Sequence, residues 1–215
     1  MISKKQLYYY YYLVLDLEKS SSQYIPLDIQ IEKLEKLRLC VNKIINSLTA
    51  DSLNTDVQIN NNIIYINQTG DGYFIIFENG EDALKFSIEV HKYLNNHNKK
   101  IENKKIYSQE EIDSKTIVTN IGISYGKSKP YKQIDGQIAY WGSDVILAHR
   151  IVDYAKGGYI LCSSKVYEKM KNTKFGKFLD LECPTIFKHN LKTNLYLFYN
   201  SHDKEIFNNL NIRLS

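Results

Sequence analysis

The alternation of apolar and polar residues divides the chain into short strands and amphipathic helices. Apolar residues recur at helical spacing between residues 27 and 48 and again between 80 and 95, whereas runs rich in aromatic and β-branched residues indicate strands. The pattern predicts, in chain order, strand 7–17, helix 27–48, strands 57–67 and 73–77, helix 80–95, strand 116–125, helix 142–155, strand 159–162, helix 165–171 and a terminal hairpin at 185–198.

The first six elements follow the order β-α-β-β-α-β. We therefore predict an α+β fold with a ferredoxin-like βαββαβ core, additional αβ elements and a C-terminal hairpin. Two polar stretches, 95–115 and 127–137, are predicted to be surface loops. A length of 215 residues suits a single domain, 1–215, with its core at about 7–200.

Composition adds little to this picture. A formal charge of +4 with 24% charged residues does not predict binding to nucleic acid or to an anionic membrane. Three cysteines without CxxC spacing argue against a zinc site or a disulfide framework, and they suit a reducing compartment. The apolar run after Lys4 and Lys5 is too short to span a bilayer and lacks a cleavage site, so we expect a soluble, cytoplasmic protein.

Two carboxylates occupy the ends of predicted strands. Asp16 follows the first apolar run, and Asp71 lies in the turn Thr69-Gly70-Asp71-Gly72. In a ferredoxin-like sheet these two ends meet at one edge, and Mg²⁺ or Mn²⁺ prefers such oxygen ligands. Each aspartate also has an ordinary explanation, because Asp-Gly favours hairpin turns and Asp is common where strands end.

Arg150 lies off the apolar stripe of helix 142–155. A guanidinium group is well suited to stabilise a phosphoryl transition state. The ordinary alternative is an exposed arginine that pairs with Asp153 or Asp144.

Four sequence blocks then fall in a familiar order: "LVLDLEKSS", "TGDGYFIIF", "IGISYGKSKP" and "YWGSDVILAHRIVDYAKGGYILCSSKVYEKM". Together they resemble the class III nucleotidyl cyclases, the adenylate and guanylate cyclase homology domain. The resemblance implies that the ribose 3′-oxygen of a nucleoside triphosphate attacks the α-phosphate and that pyrophosphate leaves. It implies two divalent cations, Mn²⁺ or Mg²⁺, held by Asp16, Asp71 and the Leu17 backbone carbonyl, with Arg150 as the catalytic cation. It also implies a homodimer whose active sites are shared between protomers.

The chain departs from the family pattern at the positions that contact the ribose and the base of the substrate. Ile146 replaces the asparagine that orients the ribose in the family, and Asn67 and Ala139 replace the pair that reads a purine. A free-standing domain without the purine pair is similar to the Pycsar antiphage cyclases, which make cyclic UMP or cyclic CMP for a separate effector protein. Lys188 and Lys192 are candidates for binding the triphosphate.

Three hypotheses about function therefore remain open. The first is a cyclase that uses UTP or CTP. The second is an adenylate or guanylate cyclase that reads its purine with other residues. The third is a non-enzymatic cyclase homologue that binds nucleotide or a partner, which Ile146 favours.

Overall fold

The computed structural model describes residues 7–18, 25–50, 62–104, 106–188 and 191–200. Within these residues the strands are β1 (Tyr8–Leu17), β2 (Ile63–Thr69), β3 (Gly72–Phe77), β4 (Thr119–Lys132), β5 (Ile138–Trp141), β6 (Ile160–Ser163), β7 (Lys177–Phe187) and β8 (Leu191–Tyr199). The helices are α1 (Leu27–Ala50), α2 (Gly80–Glu102), α3 (Gln109–Lys115), α4 (Ser143–Val152) and α5 (Ser164–Met170). Residues 57–61 of the predicted strand 57–67 lie outside the described part.

The strands form a mixed sheet in the order β2-β3-β1-β4-β6-β8-β7, with β5 paired to β4. The first four strands of this order are the ferredoxin-like core, because β3 and β4 flank β1 and both run antiparallel to it. Strand β6 adds to β4 in parallel, and the β7–β8 hairpin follows it. The predicted fold class is confirmed.

Alternate residues of β1 face two different layers. Leu13 and Leu15 are fully buried in the main core, to which α1 and α2 contribute. Tyr12 and Val14 point to the other face, where they pack with the buried side of α4. Residues 11–15 of this run are therefore part of a central strand that is buried on both faces, which explains their continuously apolar character, whereas Tyr9 is exposed. Within the described residues, no helix combines the length and the apolar character needed to cross a bilayer.

The prediction of a polar loop at 95–115 was wrong in two places. Helix α2 continues to Glu102, because Ile101 is buried and the buried Asn98 side chain hydrogen-bonds to both backbone groups of Ile117. Helix α3 then begins after a capping box, in which Ser108 and Glu111 satisfy each other's backbone N–H groups. The Ser-x-x-Glu signal was present in the sequence, but it preceded no apolar run.

The predicted loop at 127–137 was also too long. Strand β4 continues to Lys132 and pairs with β5, so that only residues 133–137 connect the two strands. Helix α4 begins at Ser143, two residues after the end of β5. It packs closely on β4, since a Cβ at Gly122 would overlap the backbone of Ala148 and Val152.

Candidate active site

The β1 end and the β2–β3 turn bring Asp16 and Asp71 together. In the sheet register Asp16 lies directly opposite Gly72, so the turn that carries Asp71 sits beside the end of β1. A Cβ at Gly72 would overlap the Leu15 carbonyl oxygen, and Gly70 has a φ of +62°. Glycine is therefore required for the close approach at 72, and it suits the left-handed turn at 70. We call Asp16, Asp71 and the end of β1 the carboxylate corner.

The electrostatics of the carboxylate corner favour a cation. Burial raises the pKa of Asp16 to about 6, and the charge and hydrogen bond of Asp71 and the charge of Asp153 act in the same direction. The Leu17 backbone N–H opposes this shift, because it hydrogen-bonds to the charged carboxylate. Two half-buried carboxylates side by side, one of them with a raised pKa, are a suitable donor set for a hard divalent cation.

Within the described residues, no group of three or more His, Cys, Asp or Glu side chains is arranged to hold a metal ion. A cation at the carboxylate corner would therefore need oxygen from elsewhere, such as the Leu17 carbonyl predicted from the sequence, water or substrate phosphate. Magnesium typically takes only one or two protein carboxylates together with substrate phosphate, so the residues present fit this kind of site.

A glycine turn is anchored beside the carboxylate corner by two residues that the sequence analysis did not single out. The Gly157 N–H donates to the Glu18 carboxylate at 2.6 Å, and the Gly158 N–H donates to the Asn120 side chain at 3.1 Å. Asn120 is in turn the register partner of Asp16. These contacts tie the chain after α4 to the end of β1. Glu18 lies inside the first cyclase-like block, and this position could have identified it from the sequence as a residue near the site.

Arg150 lies near the C-terminal end of α4, one turn before Asp153. Its Nη1 is 3.6 Å from the Asp153 Oδ2, and its side chain is 39% exposed. Its buried Nε has no hydrogen-bond partner among the described residues. The predicted alternative pairing with Asp153 is thus present, whereas Asp144 is paired with Lys165 at 2.7 Å. An exposed pair of this length contributes little stability, so it leaves the guanidinium available to a phosphate.

The three positions that the resemblance assigns to base and ribose recognition lie on three different elements. Asn67 is exposed on β2, where its register partner is Phe74. Ala139 is buried on β5, and Ile146 is half-buried on α4. Ile146 and Ala139 offer no side-chain hydrogen bond, so Asn67 alone among them can donate to or accept from a base.

Lys188 and Lys192 lie at the β7–β8 turn and are exposed. The end of β8 pairs with the start of β6, which pairs with the part of β4 beside Asp16. The β7–β8 turn is therefore at the opposite end of β8 from the carboxylate corner. One chain does not bring these lysines to its own Asp16 and Asp71.

Comparisons with known proteins fit this geometry. No family model matches the sequence, and no curated protein matches it. Among solved structures, the chain is similar to the adenylyl cyclase CyaB from P. aeruginosa, with 14% identity, a TM-score of 0.68, and coverage of 92% of this chain and 97% of that one. The chain has the nucleotidyl cyclase fold.

Two further structures with this cyclase fold cover a similar share of this chain. The guanylate cyclase domain of RhGC from Catenaria anguillulae, solved in complex with GTP, has 17% identity, a TM-score of 0.63, and coverage of 91% of this chain and 99% of that one. An adenylate/guanylate cyclase/hydrolase from Silicibacter pomeroyi has 19% identity, a TM-score of 0.64, and coverage of 92% and 99%. At these identities the likeness establishes the class III cyclase fold.

Proposed function

We propose that this chain is a nucleotidyl cyclase that converts UTP or CTP to the 3′,5′-cyclic monophosphate and pyrophosphate. The observation that carries the proposal is the convergence of Asp16 and Asp71 at the end of β1, where burial and mutual repulsion raise the pKa of Asp16 to about 6. A fold alone supports many activities, so the site carries the argument. The class III cyclase fold of the whole described chain supports the same reaction.

In the proposed reaction, the ribose 3′-oxygen forms a bond to the α-phosphorus while the bond to the bridging oxygen of pyrophosphate breaks. Asp16, Asp71 and the Leu17 carbonyl would hold two Mn²⁺ or Mg²⁺ ions. Bound cations would supply a lowered pKa at the attacking hydroxyl and neutralise triphosphate charge. Arg150 would donate hydrogen bonds to the α-phosphate oxygens as their negative charge develops.

We propose that the active unit is a homodimer with shared sites. If Lys188 and Lys192 bind the triphosphate, they must come from a second copy, because the β7–β8 turn lies at the opposite end of β8 from the carboxylate corner. Asp71→Asn and Arg150→Ala should each be inactive. Mixing the two variants should restore part of the activity, because a mixed dimer retains one intact site. Absence of rescue under conditions where the subunits exchange would contradict shared sites.

The pyrimidine assignment rests on Asn67 and Ala139, which stand where the family carries its purine-reading pair. The test is to incubate the pure protein with Mn²⁺ and each of the four nucleoside triphosphates and to identify products by mass. Cyclic UMP or cyclic CMP as the main product supports the assignment. Cyclic AMP or cyclic GMP would support the adenylate or guanylate cyclase alternative, the activities named for the structural neighbours.

A regulatory role without catalysis is the second candidate, and Ile146 is the observation that favours it. Its side chain is half-buried on α4 and offers no hydrogen bond to a ribose. Nucleotide binding without any cyclic product, with each metal and each triphosphate, would favour this candidate.

We further propose that the cyclic product acts as a second messenger in antiphage defence through a separate cyclic-nucleotide-binding effector. The lack of the purine-reading pair at Asn67 and Ala139, in which the sequence is similar to the antiphage cyclases, supports this step. The test is to measure cyclic nucleotides in host cells before and after phage infection, with wild-type protein and with Asp71→Asn. A product level that does not respond to infection would contradict a defence role.

A further inference from the structure

The positive charge of the chain is concentrated in one segment. Residues 165–177 carry five lysines and one glutamate, a net charge of +4, which equals the formal net charge of all 215 residues. The rest of the chain therefore sums to zero. In the fold this segment forms most of α5 and the connection to β7. The charge of the whole chain does not predict a polyanionic partner, but charge confined to one part of the surface creates a local attraction for anions.

Two lysines of this surface lie over a pair of tyrosine rings. The Lys169 Nζ is 4.6 Å from the centre of the Tyr125 ring on β4, and the Lys127 Nζ is 5.3 Å from that of the Tyr9 ring on β1. Lys127 and Tyr9 are also direct register partners of the β1–β4 pair. The two tyrosine rings are 6.2 Å apart, so the rings and the two lysines form one continuous patch.

The patch continues past the end of α5. Met170 immediately follows Lys169 and packs on the start of α2, since a Cβ at Gly80 would overlap its Sδ. Beyond it, the Lys174 Nζ lies 5.8 Å from the centre of the Phe175 ring. We call this patch the lysine surface, and its members are Tyr9, Tyr125, Lys127, Lys169, Lys174 and Phe175.

The charges of the lysine surface are not neutralised by carboxylates. Within the described part of the chain, Lys127, Lys169 and Lys174 form no ion pair with an acidic side chain. Asp144 and Glu168 are paired with other lysines. All three lysines are exposed, and a ring beneath an ammonium group attracts it without cancelling its charge. The surface therefore presents three positive charges to solvent.

The lysine surface is remote from the carboxylate corner. Tyr9 precedes Asp16 by seven residues on the same strand, so about 23 Å separate them at the usual strand rise of about 3.3 Å per residue. The proposed cyclase reaction at the corner does not use these lysines, and its mechanism does not explain them.

The chemistry of this surface fits a single-stranded nucleic acid. Ammonium groups donate hydrogen bonds and cannot accept them, so the matching partner presents a row of anionic acceptors, as a phosphate backbone does. Tyr9 is 51% exposed beside Lys127, and a ring next to a cation is the combination that binds unpaired bases. A lipid surface fits less well, because Tyr125 and Phe175 are half-buried and offer little to insert into a bilayer.

We propose that the lysine surface binds single-stranded nucleic acid, with phosphates on Lys127, Lys169 and Lys174 and an unpaired base on Tyr9. This binding goes beyond the proposed cyclase function and does not depend on it.

The test is to titrate the full chain into dye-labelled oligouridylate, oligothymidylate and a duplex of the same length, and to follow fluorescence anisotropy at several salt concentrations. In Lys127→Gln/Lys169→Gln/Lys174→Gln, affinity for the single strands should fall roughly tenfold or more. The slope of log Kd against log salt should fall by about 2, since each lost phosphate contact removes about 0.7. If this variant does not fold, Lys127→Gln and Lys169→Gln singly should each lower the slope by about 0.7.

The matched control removes the same net charge elsewhere. Lys36→Gln/Lys43→Gln/Lys92→Gln changes three lysines of α1 and α2, of which Lys36 and Lys43 also lie over a ring. This variant should keep the wild-type slope and bind within about twofold of wild type. Tyr9→Ala should weaken single-strand binding roughly fivefold or more, whereas Tyr9→Phe, which keeps the ring, should bind like wild type.

Equal losses in the two triple variants would overturn the proposal, because net charge rather than this surface would then determine binding. So would a duplex that binds as tightly as the single strands, or binding to phosphatidylserine vesicles or polyglutamate without binding to the oligonucleotides. The proposed function fails separately. A protein that binds single strands as expected but cyclises no triphosphate keeps this surface and loses the cyclase assignment, and the reverse result does the opposite.

Discussion

The carboxylate corner lies on the same sheet as the packed rings of Tyr65, Phe74 and Tyr140, which we call the aromatic wall. The two regions use opposite physical chemistry. At the corner, two acidic side chains converge because Gly72 permits a close turn, and burial beside Asp71 makes the charge of Asp16 unfavourable. At the wall, neutral rings pack against one another and carry no charge. Asp16 and Asp71 of the corner lie in two of the cyclase-like sequence blocks, and the wall lies apart from these two residues on β2, β3 and β5. The comparison shows that burial in one sheet disfavours the charge of Asp16 but suits uncharged rings.

The largest effect should come from the charge at the corner. Asp71→Asn should reduce turnover with Mn²⁺ by about a thousandfold or more, because an amide is a poor ligand for a hard cation and no longer neutralises it. Product mass under saturating UTP or CTP is the measurement. Asp28→Asn, an exposed carboxylate on α1, should leave turnover unchanged. Near-normal turnover in Asp71→Asn would remove Asp71 from the proposed metal site.

Backbone geometry at the corner should have the next largest effect. In Gly72→Ala the new methyl group would overlap the Leu15 carbonyl oxygen, so β3 has to move away from β1. We expect a loss of about 1–3 kcal/mol of unfolding free energy. Activity should fall as well, because Asp71 moves with the turn. Denaturant unfolding followed by circular dichroism measures the first effect, and an unchanged midpoint would mean that the strands do not approach so closely.

The repulsion at the corner predicts a pH-dependent stability. The pKa of Asp16 is raised from 3.8 to about 6, which means that the folded state favours the protonated carboxyl. The resulting contribution to the free energy of unfolding is present at low pH and is lost as pH rises through about 6. Asp16→Asn cannot ionise, so the variant does not lose this stability. In chelator at about pH 7.5, the variant should be more stable than wild type by about 1 kcal/mol, a value reduced for partial solvent screening, or about 2–4 °C in Tm.

The same thermal scans provide the control for that prediction. At about pH 4 the advantage of Asp16→Asn should vanish, because wild-type Asp16 is then largely protonated. Added Mn²⁺ should raise the Tm of wild type and leave that of the variant nearly unchanged. A variant that is less stable than wild type at every pH would show that Asp16 has no unfavourable charge in the fold.

The smallest effect is expected at the rim of the wall. Asn67 is exposed, and a hydrogen bond there competes with water, so Asn67→Ala should lower kcat/KM for the preferred pyrimidine by only about three- to tenfold. Steady-state kinetics with UTP and CTP measure this loss. An unchanged kcat/KM in Asn67→Ala would remove Asn67 from the proposed recognition of the base.

The apolar pattern alone was sufficient for the order of the core elements and for the ferredoxin-like class, because periodicity is a local property of each segment. It missed α3 and the extension of β4 because these segments are polar and gain their structure from other contacts. The capping box at Ser108 and the pairing of β4 with β5 stabilise them without an apolar stripe.

The sequence by itself also determined the candidate catalytic side chains, since Asp16, Asp71 and Arg150 could be singled out from their types and from the blocks around them. Only the tertiary structure determined which residues lie next to them. The β1–β3 register places the two carboxylates together, the contacts of Glu18 and Asn120 anchor the neighbouring glycine turn, and the approach of β5 to β2 brings Tyr140 onto Tyr65. The reason is physical: register and strand order join residues far apart in the chain, and no local pattern of hydrophobicity specifies those distances.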